Sequence, residues 1–162
     1  MAFTSYEDLG DTSRIWIYRA NRQLQESEIS NIDEWLTKFL NQWTAHNQTL
    51  NAYGKVFRNQ FLVIMLDEGN SANASGCSID AQVHFIKEIE KAVGIDLFDR
   101  MHFDFDLDGE ILTLHKSKVK ENIEEGRINN DSLVYDHLVK NKSEFETKWL
   151  KPLSQSWHSK LI

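Results

Sequence analysis

The sequence predicts an α+β fold with a ferredoxin-like βαββαβ core, an antiparallel sheet and a helical C-terminal extension. Three observations carry that expectation. Between residues 14 and 114 the segments read strand, helix, strand, strand, helix, strand. The run FLVIML (61–66) is apolar on both faces, as a central strand is. The stretches 25–43 and 79–93 carry apolar residues at three- and four-residue steps, the helical period. A chain of 162 residues fits a single domain, 1–162. The core is expected at about 14–114 and the extension at about 115–162.

Each element has its own reason. Residues 14–19 (RIWIYR) are β-branched and aromatic, with Ile15 and Ile17 on one face and Trp16 and Tyr18 on the other. In 25–43, Ile29, Ile32, Leu36, Phe39 or Leu40, and Trp43 form a helical stripe. Glu26 and Glu28 stand near its start, where the macrodipole favours negative charge, and Ser27 is the expected N-cap. The loop 44–51 leads to a short strand, 52–58, and Asn59-Gln60 connects it tightly to 61–67. A small polar loop, 69–75, ends at SGCSID (75–80), which opens the second helix. That helix is expected to bury Ile79, Val83, Ile86, Ile89 and Val93 and to end at Gly94.

Residues 101–107 alternate again: Met101, Phe103, Phe105 and Leu107 against His102, Asp104 and Asp106. Asp108-Gly109 is a hairpin turn signal, with 110–114 as the partner strand. Beyond it a helix near 116–125 stops at Gly126, and a short apolar segment spans 133–139. A last helix begins at Ser143, which stands at capping-box spacing from Glu146, before the only proline, Pro152. The sheet face carrying Trp16, Tyr18 and one side of 61–66 is too apolar to face water. Either the extension or a second subunit, in a homodimer, is expected to cover it.

Charge and composition exclude several function classes. The net charge is −7, and Lys116, Lys118 and Lys120 are followed at once by Glu121, Glu124 and Glu125. That is a solvated helix face and not a phosphate track, so neither a nucleic-acid nor an anionic-membrane partner is expected. The longest wholly apolar run, 61–66, is far short of the about 20 residues a membrane helix needs. One cysteine makes no internal disulfide, and no signal-peptide pattern opens the chain. A cytoplasmic location is therefore expected.

Two motifs fail on inspection. FLVIMLDE (61–68) looks like a Walker B strand, but no G-x-x-x-x-G-K-[ST] segment exists to grip phosphates. An ATPase is not expected. Asp104, Asp106, Asp108 and Gly109 match the opening of an EF-hand loop, but the twelfth position is His115 and not Glu, and the flanks read as strands. His102 and Asp104 share a strand face without a third ligand at fixed spacing, and the histidines are scattered. No metal site and no cofactor is expected. Trp43, Trp149 and Trp157 suit core packing before ligand stacking.

Beside these readings stands a resemblance. IWIYRANR (15–22), WTAHNQTLNA (43–52), the 61–68 strand, SGCSID (75–80), LFDRMHFDF (97–105) and SWH (156–158) resemble a functionally uncharacterised family of small bacterial proteins of about this whole length. Its members are often labelled "ABC transporter ATPase", a label that matches the Walker B lookalike. Asn47 stands where that pattern has Gly, which leaves the conformation of the 44–51 loop open.

The remaining candidate is the 75–80 turn. A thiol at a helix start is activated by the dipole and free amides, which makes Cys77 a candidate nucleophile. The competing reading is a small residue packed at a tight turn. Ser75, Gly76 and Ser78 bracket amides that bind anions well, unless Asp80 satisfies them first. In a ferredoxin-like topology the 44–52 loop, the 68–77 turn and the end of the fourth strand share one end of the sheet. His46, Glu68, Cys77 and Asp106 would then converge. The leading expectation is a small anionic molecule bound by Ser75, Gly76, Ser78, Asp80 and Glu68. The alternatives are a thiol-dependent enzyme with Cys77 as nucleophile and His46 as base, and a non-catalytic module that dimerises through the open sheet face.

Overall fold

The computed structural model describes residues 4–69 and 73–162. The chain divides into two compact units, one of Met1–Phe98 with Lys140–Ser143, the other of Asp99–Val139 with Glu144–Ile162. The α+β class and the antiparallel pairing agree with the sequence. The ferredoxin-like order does not appear, because the fourth strand joins a different sheet. The boundary falls after Phe98, not after residue 114.

In the first unit β1 (Arg14–Arg19), β4 (Ala52–Phe57) and β5 (Phe61–Leu66) form an antiparallel sheet in the order β1-β5-β4. β5 is central and all six of its residues are buried. α1 (Glu26–Gln42) and α2 (Gly76–Val93) supply Ile32, Leu36, Leu40, Ile86 and Ile89 to one core with Leu62, Ile64 and Leu66. Trp16 and Tyr18 pack against this same core, Trp16 edge-on to Trp43 at 6.0 Å. They therefore lie on the helix side of the sheet and not on the open face expected to carry them. Gly54 of β4 lets α1 approach closely: a Cβ there would stand 2.8 Å from Leu40 Cδ1.

The helix starts differ in detail from expectation. α1 is capped by Gln25, whose backbone N–H donates to Glu28 at 2.8 Å, and not by Ser27. Arg22 grips the same Glu28 carboxylate with two N–H groups, and these bonds hold that carboxyl down at about 2. α2 buries Ser78, Gln82, Ile86 and Ile89, so its inner face is rotated from the Ile79/Val83 stripe. The polar pair is accommodated by hydrogen bonds. The Tyr18 hydroxyl donates to Gln82 Oε1 at 2.6 Å, and burial pushes this phenol up to about 12.

The second unit has its own core and its own antiparallel sheet. β6 (His102–Leu107), β7 (Glu110–His115), β8 (Leu133–Tyr135) and β9 (Leu150–Pro152) lie in the order β7-β6-β8-β9. Phe103 and Phe105 pack with Leu114, Val119, Ile128, Val134 and Leu153. α3 (Val119–Glu124) follows β7, and α4 (Lys142–Lys148) precedes β9. The segment expected to be a helical extension thus contributes two strands. They escape a periodicity reading because each has only three residues, and β9 carries Pro152, tolerated because β9 is an edge strand. The Asp108-Gly109 turn is as expected, with φ of 53° and 90°.

Residues Lys140–Ser143 return to the first unit. The Lys142 side chain is buried, and its ammonium donates to the carbonyls of Tyr6 and Leu9, each at 2.9 Å, above the Tyr6 ring at 4.3 Å. The backbone N–H groups of Lys142 and Ser143 donate to the carbonyls of Ser13 and Asp11. Charge-assisted bonds of this kind are among the stronger ones. Lys142→Met keeps the apolar stem and removes both bonds, and is expected to lower stability by about 2–3 kcal/mol in chemical denaturation. A loss under about 0.5 kcal/mol, the range of ordinary surface changes, would refute this role.

Candidate functional site

The 75–80 turn is built as a helix cap. Ser75 is extended (φ −105°, ψ 167°), and its hydroxyl oxygen accepts the Ser78 N–H at 3.1 Å. The Ser75 N–H in turn donates to Ser78 Oγ at 2.7 Å, and the Ser78 hydroxyl donates to the Ser75 carbonyl at 2.8 Å. Both serine side chains, expected to hold a ligand, are occupied by this reciprocal cap. Glu68 accepts the Ala74 N–H at 2.9 Å and so fastens the chain before the turn. Gly76, Cys77 and Asp80 are exposed, and a Cβ at Gly76 would meet nothing within 4 Å.

The loop after α1 does come to this end of the sheet. The Trp43 indole N–H donates to the Ser78 carbonyl at 2.8 Å, and β2 (Thr44–Ala45) packs against α2. β2 and β3 (Gln48–Thr49) form a hairpin whose turn residues, His46 and Asn47, have φ of 52° and 64°. Asn is well suited to the left-handed region, so the loop keeps a tight turn without glycine. His46 is exposed at its tip. Among the described residues no hydrogen bond joins His46 to Cys77. Asp106, expected beside them, belongs to the second unit, where its carboxylate accepts the Gly109 N–H at 2.9 Å.

Asp67 explains the Walker B lookalike. It is buried, and its carboxylate accepts the N–H groups of Gly10 at 3.0 Å and Gly69 at 3.1 Å. The aspartate that would hold magnesium in an ATPase here ties two backbone segments. Among the described residues no three His, Cys, Asp or Glu side chains gather as a metal site requires, and no helix is long and apolar enough to cross a membrane.

A cleft of about 520 Å³ lies between α1 and α2, a volume within the small-molecule range. Trp35, Phe39, Phe85 and Ile89 form its apolar walls, and Lys38, Gln42 and Glu88 are its polar lining. Phe39 and Phe85 stack at 4.3 Å with an interplanar angle of 4°. Sequence periodicity spends Phe39 as core, and nothing in it marks a pair of helices that leave a gap.

In the second unit sequence reasoning missed a buried polar network. Asp104 is fully buried; it accepts the Thr113 hydroxyl at 2.7 Å and His137 Nε2 at 2.9 Å. Asp136 accepts Lys151 Nζ and the Trp157 indole N–H, both at 2.8 Å. The only sequence signal was an aspartate flanked by Phe103 and Phe105. His102, expected to share a ligand face with Asp104, pairs instead with Asp99.

Compared with known proteins, the chain matches no family model, no curated protein and no solved structure at a significant level.

His158 is buried, stacked on Trp157 at 3.8 Å, with Nδ1 against Ser156 Oγ. Burial pulls its imidazole down to about 4, assisted by His137 and Lys151 and opposed by Asp136 and Asp104. The unfolded chain takes this proton near 6.5 and the folded chain near 4. Its contribution is therefore complete above about pH 6.5 and is lost as pH falls through that window to about 4. Stability measured by denaturation between these pH values should fall less steeply in His158→Gln than in the wild type. Equal slopes would show that His158 is not the group responsible.

Proposed function

We propose that the first unit is a binding module for a small, largely apolar molecule that carries an anionic group. The observation behind this reading is the α1–α2 cleft, with aromatic walls from Trp35, Phe39 and Phe85 and a lysine, Lys38, in its lining. Its volume suits a drug-sized molecule. The exposed start of α2 supports the anionic half. Cys77 precedes Phe85 by eight residues on the same helix, about 12 Å of axial rise. The positive end of the α2 dipole therefore lies one small-molecule length from the aromatic wall. The serines first expected to bind the anion act as the cap, which leaves the amides of Gly76 and Cys77 as the donors for it.

The aromatic sulfonate 8-anilinonaphthalene-1-sulfonate is a direct probe of this chemistry. It should bind the folded chain saturably, with a fluorescence rise and a higher melting temperature. A ligand at 100 times its Kd stabilises by about 2.7 kcal/mol. Ala92→Trp fills the cleft from an exposed position without emptying the core, and should weaken the probe about tenfold or more. Absence of saturable binding, or equal affinity in the variant, overturns the proposal.

The exposure of Cys77 favours a second reading, in which its thiol is a nucleophile and His46 the base. Labelling of the native chain with a disulfide reagent at neutral pH should then be several-fold slower in His46→Gln. An unchanged rate removes His46 from the chemistry, whatever the reactivity of the thiol.

A further inference from the structure

The histidine beside Asp104 has both ring nitrogens committed, and the commitment is of one kind only. β6 brings Asp104 directly opposite Thr113 of β7. His137 follows β8 by two residues, and Trp149 stands between α4 and β9. The Trp149 indole N–H donates to His137 Nδ1 at 3.2 Å. An indole nitrogen donates and never accepts, so Nδ1 carries no proton. Nε2 then carries it and donates to Asp104 Oδ2 at 2.9 Å. These two bonds together require the neutral ring with its proton on Nε2.

We propose that His137 is a proton-operated latch on Trp149. A second proton on the ring has one place to go, Nδ1, where it meets the indole N–H head-on. Two donors at that separation make no hydrogen bond, so one side chain must leave. The imidazolium stays, because its bond to the buried carboxylate is charge-assisted on both sides, whereas the indole's bond to the ring is between neutral groups and weaker. Trp149 is the group that moves. It is also the hub of the local aromatic cluster: it packs on Phe145 at 4.5 Å and on Tyr135 at 4.8 Å, and the Tyr135 ring lies parallel to that of His137. Release of the indole therefore loosens the junction of α4 and β9.

The charged and titratable surroundings allow this. Asp104 on β6 faces Nε2. Asp136 precedes His137 in the chain and is paired with Lys151 of β9 at 2.8 Å. Tyr135 of β8 offers a ring face. His158, in the closing turn, feels the charges of Asp104, Asp136, His137 and Lys151, and it stays neutral until the pH is near 4. It therefore adds no competing positive charge over the range in which an ordinary imidazole titrates, about pH 5–8. The latch belongs to the second unit and does not depend on the ligand proposed for the first.

Nitrogen–proton correlation spectra of the full chain, from about pH 8 to 5, test the latch over the ordinary range of an imidazole. The five tryptophans give five indole signals, and Trp149→Phe identifies one. The His137 ring signals are those missing in His137→Gln, whose amide keeps a donor for Asp104 and an acceptor for Trp149 but does not titrate. The Trp149 indole signal should move with the midpoint of the His137 ring. After correction for intrinsic exchange, its proton should exchange about fivefold faster on the acid side, the factor an ordinary hydrogen bond confers. In His137→Gln neither change should occur. The proposal fails if His137 stays neutral through the range, if it protonates while the Trp149 signal stands still, or if the glutamine variant shows the same movement. Should that variant not fold, the His137 ring is assigned through its nuclear Overhauser contacts with the Trp149 indole proton, and agreement or disagreement of the two midpoints in the wild type decides.

Discussion

A strand buried on both faces has to be satisfied on both faces and along both edges. β5 imposes that constraint on the first unit. Its six side chains are fully buried, and burying each large aliphatic or aromatic one contributes about 1.5–3 kcal/mol. β1 and β4 complete its ladders. α1 and α2 cover the Leu62, Ile64 and Leu66 face. On the other face Tyr53 stands opposite Met65 and receives Tyr6 edge-on at 5.8 Å. Tyr6 is in turn held from above by Lys142. The long return of residues 140–143 thus serves a strand more than seventy residues earlier in the chain.

What the sequence discloses is what periodicity and turn chemistry can encode. The α1 stripe Ile32, Leu36, Leu40 and the 61–66 strand follow from apolar spacing alone. Asp108-Gly109 is fixed by its need for positive φ at two successive residues. The shared location of the 44–51 loop and the start of α2 was also legible, because chain direction in an antiparallel sheet fixes which loops share an end. Strand order does not tell which sheet a strand enters, and here β6 pairs away from the first sheet. β8 and β9 are too short to alternate visibly. The rotation of α2 toward Ser78 and Gln82 was hidden for another reason. Polar residues can line a buried face when Tyr18 and Trp43 reach them, and such partners lie far off in sequence.

The same limit explains why the motifs of this chain mislead. A carboxylate that accepts two backbone N–H groups and one that holds magnesium need the same side chain, after the same apolar strand. Asp67 is the first kind. Asp106, in an aspartate series resembling a calcium loop, accepts the N–H of a hairpin turn. Ser75 and Ser78 resemble an anion cradle and form a cap. In each case the group is spent on its own backbone, and a motif records the residue without its partner. Of the candidate site residues, Cys77, His46 and Asp80 stay exposed, and Lys38 and Glu88 line the α1–α2 cleft.

Exposure separates the two units in what they can respond to. In the first, the unspent polar groups meet solvent, where neighbouring charges are screened and act weakly. Chemistry there has to come from shape, as in the cleft, or from an intrinsically reactive atom, as in the Cys77 thiol. In the second unit Asp104, Asp136 and His158 are buried together, with His137 and Lys151 as their partners. Interactions among buried groups are stronger because the surrounding dielectric is low, and an unmatched donor there has no water to turn to. In the proposed latch, one proton added to this network is accommodated by moving a side chain. The ligand proposed for the first unit and the proton proposed for the second therefore act on groups of different kinds, an exposed cleft and a buried network.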